Sequence, residues 1–245
     1  MTYVIAVVIG VCMGSFGNVL VDRLPRGESI LGRSHCDGCK KPLSPLELIP
    51  ILSWIFLRGR CRSCKTLIPV RVSLVELFSG ILAFAAMYAT GGDVVLAIPF
   101  FIALWSLLLI AVIDMHTKTI PDVLTLVVFI TAIAYQLFAF GTVPYVAPLI
   151  LAGFFLLQWV LSRGRWVGSG DILLAAAIGM LVGTIDAAVW TLLASYAIGA
   201  NVAIVLILAK KLRRGDMVPF GPFLVLAAYV VLLAGEALPQ VLPHP

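Results

Sequence analysis

Charge is scarce in this chain. Of its 245 residues only 12% are Asp, Glu, Lys or Arg, whereas 62% are apolar. A water-soluble domain of that length cannot bury so much apolar surface, and a mean hydropathy of +1.11 excludes one. Histidine is scarcer still, with three in all, His35, His116 and His244. The sequence has no G-x-S-x-G, no H-E-x-x-H and no P-loop. Their absence removes the serine-hydrolase elbow, the zinc-protease helix and Walker-type phosphate binding. No internal repeat and no low-complexity linker interrupts the chain. The start, Met1-Thr2-Tyr3, carries no basic residue, so the first apolar run reads as an uncleaved span rather than a secretory signal. The net charge of +5 does not point to nucleic acid, because the basic residues sit at the edges of apolar runs, where they report topology.

What is present is a succession of long apolar segments separated by short polar breaks. A spanning helix needs about 20 mostly apolar residues, so the pattern predicts an all-α polytopic membrane protein rather than a barrel. Eight segments qualify, at roughly 2–20, 70–90, 94–113, 122–141, 146–162, 171–184, 186–208 and 218–237. With the N-terminus outside, the inside segments are 21–69, 114–121, 163–170 and 209–217. All 17 Lys and Arg fall in or beside them, including Lys118, Arg163, Arg165, Lys210, Lys211, Arg213 and Arg214. The outside turns carry acids, such as Asp93, Asp186 and Glu236. That segregation supports both the count of eight and the orientation. The sixth segment is short: 14 residues reach only about 21 Å, which places Asp171 near the headgroup boundary. The domains expected are a first span (1–20), a cytoplasmic insert (21–69) and a membrane domain (70–245).

The insert carries four of the five cysteines: Cys36, Cys39, Cys61 and Cys64, two C-x2-C pairs 21 residues apart. Each pair offers two thiolates from a tight turn, and two such turns close a tetrahedron around Zn²⁺ in a small zinc-ribbon domain. The reducing cytosol favours metal over disulfides. Four thiolates fill the shell, so the site is structural. His35 reads as a solvated loop residue, and Cys12 as packing within the first span.

Ionisable groups inside spans, or at their mouths, are costly and point to function. Asp114 ends the third apolar run, where a carboxylate opposes the helix dipole, so capping does not account for it. Asp122 opens the fourth span, where an N-cap accounts for it better. Asp171 follows Gly168-Ser169-Gly170, whose glycines permit close backbone approach and suit a substrate strand. Glu76 lies one to two turns inside the second span, open to pairing with an arginine or to chemistry. His116 reads as a loop residue near Asp114. Asp114 and Asp171 thus lie on different helices at one membrane level. Two neighbouring carboxyls share a proton, one acting as base on water and the other donating to a scissile carbonyl.

These residues resemble the bacterial type IV prepilin leader peptidase family. The likeness is carried by Gly14-Ser15-Phe16, Asn18-Val19 and the run Arg23 to Ser29. It continues through the cysteine tetrad, Ile49-Pro50-Ile51-Leu52-Ser53-Trp54 and Arg58-Gly59-Arg60-Cys61. Asp114 with Ile120-Pro121-Asp122 resembles the family's first aspartate motif, Gly168-Ser169-Gly170-Asp171 its GxGD motif, and Val218 to Phe223 its C-terminal signature. The resemblance implies cleavage of the short basic leader of prepilins and type II secretion pseudopilins at the cytoplasmic face of the bacterial inner membrane. It also implies methylation of the new N-terminus with S-adenosylmethionine. By motif the catalytic pair is Asp114 and Asp171 and the zinc ligands are the four cysteines; the reading of the residues adds Gly168, Gly170, Asp122 and Glu76 as candidates that bind substrate or shape the site. Leu173 stands where the family often has Lys, and Leu46-Glu47-Leu48 lacks a frequent Asn. The alternatives are a leader peptidase without methyl transfer, a transporter with acids near mid-membrane, and a non-catalytic scaffold.

Overall fold

The computed structural model describes residues 1–211 and 218–234. Among these, each of the eight apolar segments is a helix. They are α1 (Thr2–Arg23), α3 (Val70–Ala89), α4 (Val94–Thr117), α5 (Asp122–Phe140), α6 (Val146–Ser162), α7 (Ser169–Val182), α8 (Ile185–Leu208) and α9 (Gly221–Ala234), with a short α2 (Leu52–Phe56) in the polar insert. By length and composition α1, α3, α4, α5 and α8 can cross a membrane, while α6, α7 and α9 are shorter apolar helices. Arg213, Arg214, Glu236 and His244 lie outside the described residues. The chain forms two compact units, Met1–Ala97 and Ile98–Pro245.

The first unit rests on α1 against α3. Lipid is as apolar as leucine, so helix association in a membrane needs close backbone approach rather than hydrophobic burial. Gly10 and Gly14 provide it, four residues apart on one face of α1. A Cβ at Gly10 would lie 2.6 Å from the Ala83 Cβ, and one at Gly14 would lie 2.6 Å from the Glu76 Cα. Asn18 pins the pair, donating to the Gly14 carbonyl (3.2 Å) and the Val72 carbonyl (3.0 Å). Arg71 closes the polar end on Asp22 at 2.6 Å. Cys12 is exposed on α1.

The insert is built from two matching turns. Cys36 donates its N–H to the Lys41 carbonyl and accepts from the Lys40 N–H; Cys61 does the same with Thr66 and Lys65. Lys40 and Lys65, each directly after the second cysteine of its pair, both adopt positive φ (56° and 61°). Isolated bridges, His35 with Pro42 and Arg60 with Leu67, extend each turn. The likeness between the two turns lies in backbone shape more than in residues, so it escapes a search of the sequence for repeats. Between them, Ser44 and Glu47 form a capping box, with the Ser44 hydroxyl and N–H both donating to the Glu47 carboxylate. Those two bonds hold the Glu47 carboxyl below its usual range.

In the second unit α7 packs against α5, α6 and α9. Leu174, Ala175, Ala177 and Ile178 are fully buried there. Gly179 lets α6 approach, since a Cβ there would lie 2.7 Å from the Pro148 nitrogen. Gln136 on α5 donates to the Leu181 carbonyl (3.1 Å), satisfying one acceptor that the last turn of α7 leaves free. α4 is apolar all round and 72% of its most apolar stretch is buried, as expected of a central helix, against 11% for α8. Tyr229 on α9 donates to the Leu104 carbonyl of α4 at 2.6 Å.

Candidate active site

α4 runs one turn past the apolar segment, to Thr117, and so carries Asp114 in its last turn. The carboxyl is 4% exposed. It accepts a hydrogen bond from the backbone N–H of Gly221 at 3.0 Å. Gly221 opens α9, and its N–H is one of the donors that a helix start leaves unpaired. The positive end of the α9 dipole therefore faces Asp114, answering the unfavourable dipole of its own helix. A side chain there would push the carboxyl aside, because a Cβ at 221 would lie 2.6 Å from Asp114 Oδ2.

Asp171 is held in the same manner. It is the third residue of α7 and 8% exposed, and its Oδ2 accepts the N–H of Gly168, the N-cap, at 3.0 Å. Gly170 brings α7 against the 118–121 segment, since a Cβ there would lie 3.0 Å from the Ile120 Cβ. The Asp171 carboxyl contributes to the charge that Asp114 feels.

The structure does not gather every candidate at this pair. Asp122 is not the N-cap expected from sequence: Pro121 is, and Asp122 stands exposed at the first helical position with no side-chain cap bond. The Pro121 carbonyl accepts the first helical bonds, from the N–H groups of Leu124 and Thr125, which puts Asp122 one position inside the helix. Glu76 belongs to the first unit, and among the described residues no arginine forms an ion pair with it. His116 and His35 are exposed. Leu173 is 52% exposed, two positions and therefore about 200° round the helix from Asp171.

Sequence reasoning missed two features. One is the Gly221 donor, 107 residues from its acceptor. The other is an aromatic wall next to it. Phe220 lies 5.5 Å from Phe155 and 5.0 Å from Tyr196, ring centre to ring centre. Tyr196 also feels the Asp171 charge and is hydrogen-bonded to Gln158. A tyrosine and a glutamine on apolar helices were the available signal.

In the first unit, the sulfurs of Cys36, Cys39, Cys61 and Cys64 all lie within 4.8 Å of one another, and none is in a disulfide. Cys36 and Cys64 are 3.7 Å apart. With Zn–S near 2.3 Å, the edge of a tetrahedron is about 3.8 Å, so the donor set suits that ion. Thr66, through its hydroxyl and backbone N–H, pulls the Cys64 thiol down to about 6, while Cys36, which burial and its contacts with Cys61 and Cys64 raise, is pushed up to about 11. Beside the cluster lies a cavity of about 280 Å³, whose lining includes Cys36, Glu47, Trp54, Ser15, Asn18 and Glu76.

Comparison with known proteins agrees with this division. The family model for the bacterial peptidase A24 N-terminal domain matches residues 8–90, and that for the type IV leader peptidase family matches residues 101–209. A prepilin leader peptidase/N-methyltransferase of Aeromonas salmonicida is 33% identical over 261 residues, covering 92% of this chain and 88% of the relative. This chain belongs to the type IV leader peptidase family. Proteins of the same name from Burkholderia pseudomallei (33% identical; 94% of this chain, 84% of the relative) and Pseudomonas aeruginosa (30%; 94% and 89%) extend the family likeness. No solved structure matches.

Proposed function

We propose that this family member is an aspartic endopeptidase of the bacterial inner membrane that removes the leader from prepilins and type II secretion pseudopilins, then methylates the new N-terminus. The observation that carries the peptidase reading is the pair of buried carboxyls on α4 and α7, each steadied by one backbone N–H from a helix start. In this reading eight helices span the bilayer with the N-terminus outside, 21–69 is a cytoplasmic zinc ribbon, and 70–245 holds the peptidase helices.

The chemistry follows from two carboxyls sharing one proton. The ionised one takes a proton from a water held between them as the water oxygen attacks the leader's last carbonyl. The protonated one donates to that carbonyl oxygen. Collapse of the tetrahedral species breaks the C–N bond and returns a proton to the leaving nitrogen. Gly221 and Gly168 keep the carboxyls aimed without adding side chains to the site. Gly170 narrows it, the Phe155–Tyr196–Phe220 wall takes the apolar start of the mature pilin, and Asp122 serves the entrance from its exposed position.

Zn²⁺ is assigned a structural role on Cys36, Cys39, Cys61 and Cys64, where it fixes the two turns. S-adenosylmethionine, when bound, supplies a methyl carbon on a positively charged sulfur. The cavity beside the cluster suits it: the Trp54 ring offers a face for a planar base, and the Glu47 carboxylate an acceptor for hydroxyls and a partner for positive charge. The test is incubation of the purified protein with a prepilin, with and without S-adenosylmethionine, followed by intact mass measurement. Cleavage in both arms, with a further methylene only when the donor is present, is the expected result. Intact prepilin in both arms sinks the peptidase reading, and cleavage without the added methylene sinks the methyltransferase half.

A further inference from the structure

Glu76 is a buried carboxylate that the peptidase chemistry does not use. It is 5% exposed, on α3, at the point where Gly14 admits α1 to its closest approach. Its Oε2 accepts the N–H of Ile51 at 2.7 Å. To present that N–H, Ile51 adopts φ 61° and ψ −52°. A β-branched residue in that region is strained by about 1–3 kcal/mol, and such strain collects at functional sites. One turn before Glu76 on the facing helix, Asn18 is 7% exposed. Both donor hydrogens of its amide are committed to the Gly14 and Val72 carbonyls, which fixes the amide's orientation and leaves Oδ1 buried without a partner. Glu76, Asn18 and Ser15 all line the cavity.

An unpaired amide oxygen and a carboxylate, both drawn out of water, are costly unless a ligand brings donors to them. Acceptors in that arrangement select a compact cation rich in N–H, which is to say a primary ammonium. We infer that Glu76 and Asn18 form the seat for the free N-terminal amine of the cleaved pilin, and that Glu76 is the base that deprotonates it for methylation. The inference rests on the methyltransferase reading above.

An ammonium has no lone pair and cannot attack carbon. One proton passes from it to the Glu76 carboxylate. The freed nitrogen pair forms the new C–N bond as the methyl carbon's bond to sulfur breaks, and that electron pair stays on sulfur, leaving a neutral thioether. The product nitrogen carries the positive charge the sulfur lost, and Glu76 gives its proton to water. Asn18 Oδ1 accepts a second N–H and aims the nitrogen.

The same ammonium chemistry could be offered by the amino-acid end of the methyl donor, and the two sources are separable. Full-length protein, wild type and Glu76→Gln, is titrated with a peptide of the mature pilin start bearing a free amine, with its N-acetylated twin, and with S-adenosylhomocysteine. The methylated fraction of cleaved product is measured in parallel, so that loss of cleavage does not imitate loss of methylation. The wild type is expected to prefer the free amine at least tenfold. Glu76→Gln is expected to lose that preference, to hold S-adenosylhomocysteine as before, and to lower the methylated fraction by roughly 10²–10⁴-fold, the usual contribution of a general base. Glu76→Asp should recover part of it.

Retention of both the preference and the methylated fraction by Glu76→Gln overturns the assignment while leaving the methyltransferase reading intact. Weakened S-adenosylhomocysteine binding with an unchanged peptide preference assigns the seat to the donor's amine and also overturns it. A wild type that prefers the free amine yet never methylates overturns the base and the methyltransferase reading together, and leaves the amine seat standing.

Discussion

Asp114 and Asp171 are legible in sequence because a carboxylate at the end of an apolar helix has few structural uses. Asp114→Asn and Asp171→Asn are each expected to lower prepilin cleavage by roughly 10²–10⁴-fold, with membrane insertion and yield near normal. Leader removal followed on a gel, with the folded fraction read by size exclusion in detergent, checks this. Asp122→Asn should stay within a few-fold of wild type, because its side chain is exposed and caps nothing. Wild-type processing by either asparagine variant at 114 or 171 would dissolve the pair. What sequence does not carry at this scale is the donor. Nothing local about Gly221 marks it as a partner of a residue 107 positions away. The motif around it is visible, but its role appears only when α9 is packed. Leu173 gains meaning in the same way. The position reads as a departure near the site, and the helix turns it outward, with 52% of its surface exposed.

Among elements, the helices are legible because long apolar runs announce themselves by composition and their ends by charge, and five of them are long enough to cross a membrane. The exception is informative: α4 continues through Asp114 to Thr117, since a helix does not stop where apolarity does. The two start-of-helix contacts give a prediction of their own. Gly221→Ala puts a methyl 2.6 Å from Asp114 Oδ2, so the carboxyl must shift. Cleavage is expected to fall by roughly 10²-fold, the scale of an ångström-sized misplacement, while thermal stability in detergent changes little. Gly14→Val should do the reverse. It forces α1 off α3 and lowers stability by about 1–3 kcal/mol, which a thermal melt of the detergent-solubilised protein reads. The matching turns of the insert predict a single metal ion for four sulfurs. Chelation, or Cys64→Ser, should release one Zn²⁺ per chain by elemental analysis and open the 21–69 segment to proteolysis. Metal binding of this kind contributes about 10–16 kcal/mol to folding, which a segment with so small a core does not otherwise have.

For the whole molecule, the two units match the two family models, one ending at residue 90 and the other beginning at residue 101. Composition divides the chain into a first span, an insert and one membrane domain. Contacts group α1, the insert and α3, because the glycines of α1 bind it to α3 across the insert. That pairing was not legible from hydropathy, which gives spans but not their neighbours. If cleavage belongs to the second unit and methyl transfer to the first, stripping the metal should collapse the methylated fraction while cleavage persists within a few-fold, both read from one mass spectrum. Equal loss of the two activities would argue that the units do not divide the labour.

The amide hydrogens of Gly168 and Gly221 have one more consequence. A donor carried by the main chain survives every codon change except one to proline. A compound shaped to the two carboxyls as those amides hold them would face an anchorage that single-base changes cannot readily erase. Escape would have to come through the surrounding aromatic rings, which natural variation can redraw.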